Sequence, residues 1–189
     1  MFVSDGKIVR KEIKENIIEV SSDIKVNIEN SKITLEKAGE TQEITYNPVF
    51  VSVNFKDNKL VIRANSKKKN FVSVINTLRK IVLNAISGFD KEYTAKLSIV
   101  FSHFPMTVKV EGNDIIISNF LGEKKPRRTK VMPGCKVVVN GKDIVVTGKN
   151  KYFVGQTAGN FETTTRVRGK DYRVFDDGIY IVEKSNQLE

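Results

Sequence analysis

The chain repeats itself. Met106, Val108 and Val110 stand 82 positions after Ile24, Val26 and Ile28, and Ile115 and Ile117 stand 82 positions after Ile33 and Leu35. Gly122-Glu123 follows Gly39-Glu40 one residue later than that offset, Ile144-Val145-Val146 answers Leu60-Val61-Ile62, and Phe153 answers Phe71. A period of 82–84 residues is longer than the units that stack into solenoids, so it reads as two related domains. The expected division is residues 1–92 and 93–189.

Within each repeat the hydrophobic period changes once. Ile24, Val26 and Ile28 alternate with Lys25, Asn27 and Glu29, then Ile33-Thr34-Leu35 runs up to the turn residues Ala38-Gly39-Glu40. Val49, Val51, Val53 and Phe55 alternate again before Lys56-Asp57-Asn58-Lys59 turns the chain into Leu60-Val61-Ile62. Period two broken by Asn, Ser and Gly predicts antiparallel strands with one solvated face. After Asn65-Ser66 the spacing becomes three or four: Phe71, Val74/Ile75, Leu78, Ile81/Val82, Ala85/Ile86. That spacing predicts a helix of about 18–20 residues with one apolar face, Ser66 or a nearby polar residue as its cap and Gly88 as its stop. The predicted fold is α+β: two tandem repeated domains, each an antiparallel-rich β-sheet packed against one main α-helix. The stretch from Asp90 to Phe104, with Leu97, Ile99 and Phe101 alternating, holds the linker and the opening strand of the second domain. The second helix packs through Phe153, Val154, Ala158 and Phe161 but carries Gly155 and Gly159, each costing about 1 kcal/mol relative to Ala, and ends in Thr163-Thr164-Thr165. Two readings of those glycines stay open, a backbone kept bare for close approach to another surface or a poorly optimised short helix.

Charge narrows the class of partner. The chain has 32 Lys and Arg against 22 Asp and Glu, a formal +10, and an excess of this size favours a polyanion whose counterions are released on binding. Residues 1–94 hold 16 basic and 12 acidic side chains, whereas residues 95–189 hold 16 and 10. Lys124-Lys125-Pro126-Arg127-Arg128-Thr129-Lys130 puts five cations in seven positions with no acidic neighbour, and Pro126 makes it read as a loop. Its self-repulsion would be relieved by a phosphate backbone, which Arg side chains also grip with paired hydrogen bonds; an ordinary solvated loop or a localisation-like patch is the alternative. A second run, Arg166-Val167-Arg168-Gly169-Lys170-Asp171-Tyr172-Arg173, reads as an irregular strand or loop that tracks nucleic acid. Tyr172, Phe175 and Tyr180 read either as packing residues or as rings that stack on unpaired bases. Lys149 and Lys151 flank the start of the second helix, where free backbone donors add to their charge; Lys67-Lys68-Lys69 does the same more weakly in the first domain.

Enzyme chemistry has little to stand on. His103 is the only histidine and Cys135 the only cysteine, which excludes a multi-histidine metal centre, a structural zinc site and an intrachain disulfide. His103 reads as a packing residue or a surface hydrogen bond, and Cys135 as a small, partly buried side chain without an orienting group. Neither phosphate-cradling glycine motif is present, and Asp176-Asp177-Gly178 reads as a turn. No catalytic residue, metal site or cofactor is expected. The start, Met1 to Lys7, lacks the basic patch and apolar stretch of a secretory leader, and no apolar run reaches the roughly 20 residues of a membrane-spanning helix.

Three stretches carry a family resemblance: Asn119-Phe120-Leu121-Gly122-Glu123-Lys124, Lys151-Tyr152-Phe153-Val154-Gly155-Gln156-Thr157-Ala158, and Arg166 through Tyr180 (RVRGKDYRVFDDGIY). With them the chain resembles, over nearly its whole length, the universal large-subunit ribosomal protein L6 family in its archaeal and eukaryotic form, called L9 in eukaryotes. The resemblance implies a duplicated β-rich fold and a structural, cytoplasmic constituent of the large ribosomal subunit. It also implies binding to large-subunit rRNA near the translational GTPase centre, close to the sarcin–ricin loop and the stalk base. Expected partners are that rRNA and neighbouring ribosomal proteins near the stalk base, with no membrane and the chain a monomer within the ribosome. The expected RNA-binding residues are Lys124, Lys125, Arg127, Arg128, Lys130, Lys149, Lys151, Gly155, Gln156, Gly159, Arg166, Arg168, Lys170 and Arg173. The alternatives are an adaptor whose basic loops bind an acidic protein partner, and a nucleic-acid-binding protein outside the ribosome.

Overall fold

The computed structural model describes residues 3–4, 7–8, 14–29, 31–171 and 173–187. Tyr172, one of the aromatic candidates, lies outside them. Contacts divide the chain into two units, Met1–Ile86 and Ser87–Glu189.

In the first unit β1 (Val3–Ser4) pairs with β2 (Lys7–Ile8). Then come β3 (Glu15–Glu19), β4 (Lys25–Glu29), β5 (Lys32–Lys37), β6 (Glu40–Thr45), β7 (Val51–Lys56), β8 (Lys59–Ala64) and the helix α1 (Lys69–Asp90), whose last four residues, Ser87–Asp90, belong to the second unit. The strands form two antiparallel three-stranded sheets, ordered β3-β8-β7 and β4-β5-β6. Their inward positions are the alternating residues of the sequence: Ile33, Leu35, Leu60 and Ile62 are fully buried. The helix buries Ile75, Leu78, Val82 and Ala85, sets Phe71 against Phe50 at 5.1 Å and bonds Asn76 to Asn16 of β3. Ser66 accepts the Lys68 N–H at 3.5 Å, a weak contact one residue ahead of the helix rather than within its first turn.

The second unit contains β9 (Tyr93–Val100), β10 (Thr107–Glu111), β11 (Asp114–Ser118), β12 (Arg127–Lys130), β13 (Cys135–Asn140), β14 (Asp143–Gly148), α2 (Lys151–Thr164) and β15 (Gly178–Gln187). The ladders of the first unit recur with their registers intact: Val26↔Leu35 becomes Val108↔Ile117, and Val53↔Ile62 becomes Val137↔Val146. One sheet is β10-β11-β12; the other is β13-β14-β9-β15, in which β15 is an additional edge strand with no counterpart in β3-β8-β7. Both sheets and α2 bury one core, with Leu97, Ile115, Ile117, Phe120, Ile144, Val154, Phe161 and Ile179 at its centre. Burial of each such side chain is worth roughly 1.5–3 kcal/mol.

Two sequence expectations need correction here. Gly88 does not stop α1, which continues to Asp90. Gly88 is instead a packing glycine, because a Cβ there would collide with the Lys149 carbonyl. The run Lys124–Lys130 is not a loop throughout: after Pro126, which has no N–H to give, Arg127–Lys130 pairs with β11 as β12.

Candidate nucleic-acid interface

Asn119-Phe120-Leu121-Gly122 is a tight turn with left-handed backbone at Asn119 (φ 60°), Leu121 (φ 49°) and Gly122 (φ 76°). A left-handed Leu costs roughly 1–2 kcal/mol, so the rest of the turn must hold it. Asn119 Nδ2 donates to the Pro105 carbonyl at 2.9 Å, and the Phe120 ring is buried in the core. That ring is the floor on which Arg127 lies, its guanidinium carbon 4.2 Å from the centroid. Glu123 grips one edge of the same guanidinium with both carboxylate oxygens, accepting from Nε at 2.9 Å and from Nη2 at 2.6 Å. Nη1 donates across the unit to the Thr164 carbonyl at 2.7 Å and to the Arg166 carbonyl at 3.3 Å. The Arg127 hydrogen bond, assisted by the charges of Arg127 and Lys170, holds the Glu123 carboxyl below its ordinary value despite some burial.

The expectation that the first basic run has no acidic neighbour is therefore wrong, since Glu123 sits directly before it and claims Arg127. What that pairing achieves is placement. Arg127 ties the strand bearing one basic run to the end of α2 and the start of the other run. Lys124, Lys125, Arg128, Lys130, Arg166 and Arg168 are exposed, and none of the six is in an ion pair among the described residues. Arg128 and Lys130 share the outer face of their strand, while Arg127 and Thr129 are half-buried on the other. Ile116 pairs with both Lys109 and Arg128, so Lys109 belongs to the same face. The sequence reading missed Lys109; the alternation Val108-Lys109-Val110 was its only trace.

Asn150 caps α2, its side-chain oxygen accepting the N–H groups of Tyr152 and Phe153. Val154, Thr157, Ala158 and Phe161 face inward. Thr157 accepts the Met132 N–H at 3.1 Å, and Asn160, itself bonded to Gln156, donates to the Lys130 carbonyl at 3.0 Å. Strand β12 thus runs beside α2 in the opposite sense. Neither helix glycine has an internal explanation: a Cβ at Gly159 would meet nothing within 4 Å, and one at Gly155 only Ser185 Oγ at 3.5 Å. With exposed Tyr152, Gln156 and Thr163 they form an open stripe. The three threonines end the helix: Thr164 and Thr165 bond back to the Asn160 and Phe161 carbonyls, and Thr165 Oγ1 accepts the Ile179 N–H at 2.9 Å.

The described residues of 166–177 form no regular element, and the sequence predicts an irregular strand or loop over 166–173. Gly169 is left-handed at φ 70°, and Lys170 Nζ lies 4.6 Å from the Phe175 ring centroid. Arg173 is exposed beside an Asp171 that caps its N–H. Lys149 and Lys151 are half-buried at the other end of α2, about 20 Å away by the helix rise, and Lys151 Nζ sits 5.4 Å from the Tyr93 ring centroid. The predicted cations therefore form two groups joined by the open stripe.

The segment is fastened by a residue the sequence reading took for part of a turn. Asp177 is fully buried, and its carboxylate accepts from the backbone N–H groups of Ser102, His103 and Phe104 and pairs with His103 Nδ1 at 3.1 Å. Burial alone would raise its pKa, but these donors together pull it below the ordinary value. Asp176 accepts from Ser102 Oγ at 2.9 Å. The three acid and imidazole side chains cluster within 4.8 Å, but the acceptor capacity of Asp177 is used in holding the 102–104 turn. Burial pushes the Cys135 thiol up, the opposite of what a nucleophile needs.

Comparison with known proteins fits this geometry. The family model described as "Ribosomal protein L6" matches residues 104–178, the span from the 102–104 turn to the start of β15. The large ribosomal subunit protein uL6 of Methanococcus vannielii is 40% identical over 171 residues, covering 90% of this chain and 94% of that protein. Its counterpart in Methanosarcina mazei is 39% identical over 175 residues, 93% and 99% of the two chains, and that of Archaeoglobus fulgidus is 39% identical over 178 residues, 90% of each. Identity at this level along nearly the full length of both partners leaves one assignment: the chain belongs to the uL6 family of large ribosomal subunit proteins.

Proposed function

We propose that this protein is a structural, non-catalytic constituent of the cytoplasmic large ribosomal subunit, and that its second unit grips rRNA through the face where β12, the open stripe of α2 and the 166–170 segment meet. The observation that carries the placement is the Arg127 clamp, which ties one basic run to the Thr164 and Arg166 carbonyls, 37 and 39 residues on, where the other run begins. A fixed cluster of cations without acidic partners neutralises phosphate repulsion, and such contacts set the position of RNA helices rather than read their sequence. Side-chain-free Gly155 and Gly159 let a sugar–phosphate backbone approach α2 closely, with Gln156 as an adjacent hydrogen-bonding group. Lys149, Lys151 and Arg173 extend the same contact at either end. Family membership supports a position near the translational GTPase centre and stalk base, with neighbouring ribosomal proteins around it.

The experiment is charge reversal at Lys124, Lys125, Arg128 and Lys130 together, leaving Arg127 in place because its loss would also undo the clamp. Binding of the full chain to large-subunit rRNA is measured across a salt series. Affinity should fall on the order of 100-fold or more, and the slope of log affinity against log salt should shrink by about 3. An unchanged slope would remove this face from the RNA contact. An adaptor would instead keep its protein complex after nuclease treatment of native extracts.

A further inference from the structure

A cavity of about 540 Å³ opens beside this face, lined by Glu162 and Thr163 at the end of α2, by Arg166 and Lys170, and by Phe175 and Tyr180. Buried Thr165, Gly178 and Ile179 make its floor. The Thr165 hydroxyl already donates to the Phe161 carbonyl and accepts from Ile179, so the floor offers shape rather than free polar groups. We infer that this cavity receives a single unstacked nucleotide of the bound rRNA, its base against the Tyr180 ring and its phosphate at Arg166 and Lys170. The inference rests on the rRNA-binding reading above and specifies one subsite within it.

Both rings are fixed before any ligand arrives. The Tyr180 hydroxyl donates to the Asp176 carbonyl at 2.8 Å. Its ring lies across Gly178, where a Cβ would come within 3.2 Å of it, yet the residue remains 43% exposed. Phe175 is stacked on His103 at 4.8 Å and 28° and carries the Lys170 ammonium over its ring at 4.6 Å, so it braces Lys170 at the cavity and leaves Tyr180 as the ring open to a base. Rings immobilised in this way bind bases without the entropy cost of ordering a free side chain, and every base has a face to stack. The volume falls in the range of small-ligand sites, large enough for one nucleotide. Arg166 forms no ion pair among the described residues, and its charge is available at the rim. Glu162, which lines the same cavity, would repel a phosphate chain laid across the opening. That arrangement favours one base turned inward with a single phosphate on the basic side, over a strand tracking through.

The test uses the full chain assembled on large-subunit rRNA. Ultraviolet cross-linking, nuclease digestion and peptide mass spectrometry should place a mononucleotide adduct on Tyr180. Tyr180→Leu should weaken rRNA binding roughly 5- to 100-fold with an unchanged salt slope, because stacking releases no counterions, whereas Tyr180→Phe should retain most of the affinity. Adducts confined to other segments, a protein partner cross-linked in the cavity, or full affinity in Tyr180→Leu would each overturn the subsite while leaving the wider RNA face intact. Failure of the unaltered chain to bind rRNA would overturn both. Thermal unfolding of each variant, together with the wild-type adduct, keeps a loss of fold from passing as a loss of stacking.

Discussion

The first unit pairs Lys25 with Glu36 and Val26 with Leu35, and the second pairs Thr107 with Ser118 and Val108 with Ile117: one ladder, moved by 82 residues. What the two units do with their charges is different. In the first, the Lys32–Glu43, Lys59–Glu19 and Arg63–Glu15 pairs link neighbouring strands at exposed sites, where each contributes at most about 1 kcal/mol. In the second, Arg127 lies on a buried ring, is gripped twice by Glu123 and reaches two carbonyls at the end of α2. The helices diverge too: α1 runs 22 residues with Gly88 its only glycine, while α2 has 14 residues with glycines at 155 and 159. The two units share one scaffold, and the second adds an edge strand, the Arg127 clamp and a bare helix face, the parts on which the proposed RNA contact rests.

If that contrast is real, the added parts should fail without the first unit noticing. The largest effect is expected from Asp177→Asn, which removes a buried charge and turns an amide N–H toward backbone donors. The loss should be on the order of 3 kcal/mol. Hydrogen exchange should rise in β9 and β15 while β4 and β5 keep their protection; equal loosening of both units would break the contrast. The pH dependence has a definite sign. Because the Asp177 and Glu123 pKa values are lowered in the folded protein, their stabilisation is present above the ordinary carboxylate pKa of about 4 and is lost as pH falls through the lowered values. Asp177→Asn should therefore flatten the acid limb of the second unit's stability curve.

Next in size is Gly88→Ala. It should destabilise the second unit by about 1–3 kcal/mol, since the new methyl must displace the Lys149 backbone, although Ala is the better helix former. A stabilised variant, read by thermal unfolding, would mean that the glycine serves α1 alone.

The pattern of what was legible follows from these residues. Strand pairing, the two helices and the repeat all lie in local periodicity, and Ile33, Leu35, Ile115 and Ile117 could be assigned to the core from alternation alone. The basic runs were visible as runs. Their convergence was not, because it depends on Arg127 reaching Thr164 and on Phe120 lying beneath it, contacts that no spacing announces. Asp177 looked like a turn because its partners stand 73–75 residues earlier. Gly88 looked like a helix stop because the Lys149 carbonyl that requires it is 61 residues downstream. β15 escaped notice because Ile181 and Glu183 straddle a register shift that breaks its alternation.

The smallest change separates fold from function most cleanly. Gly159 has helical backbone and open space at its missing Cβ, so Gly159→Ala should stabilise the free protein by up to about 1 kcal/mol through helix propensity. Against rRNA the same methyl would stand in the proposed path of the backbone, and binding should weaken on the order of 10-fold, the cost of overfilling a close contact. A variant that melts higher and binds worse can be explained only if the glycine is kept for a surface outside the chain. A variant that melts higher and binds as before would make α2 a merely imperfect helix, and the contrast between the two units would then lie in the clamp and the basic runs alone.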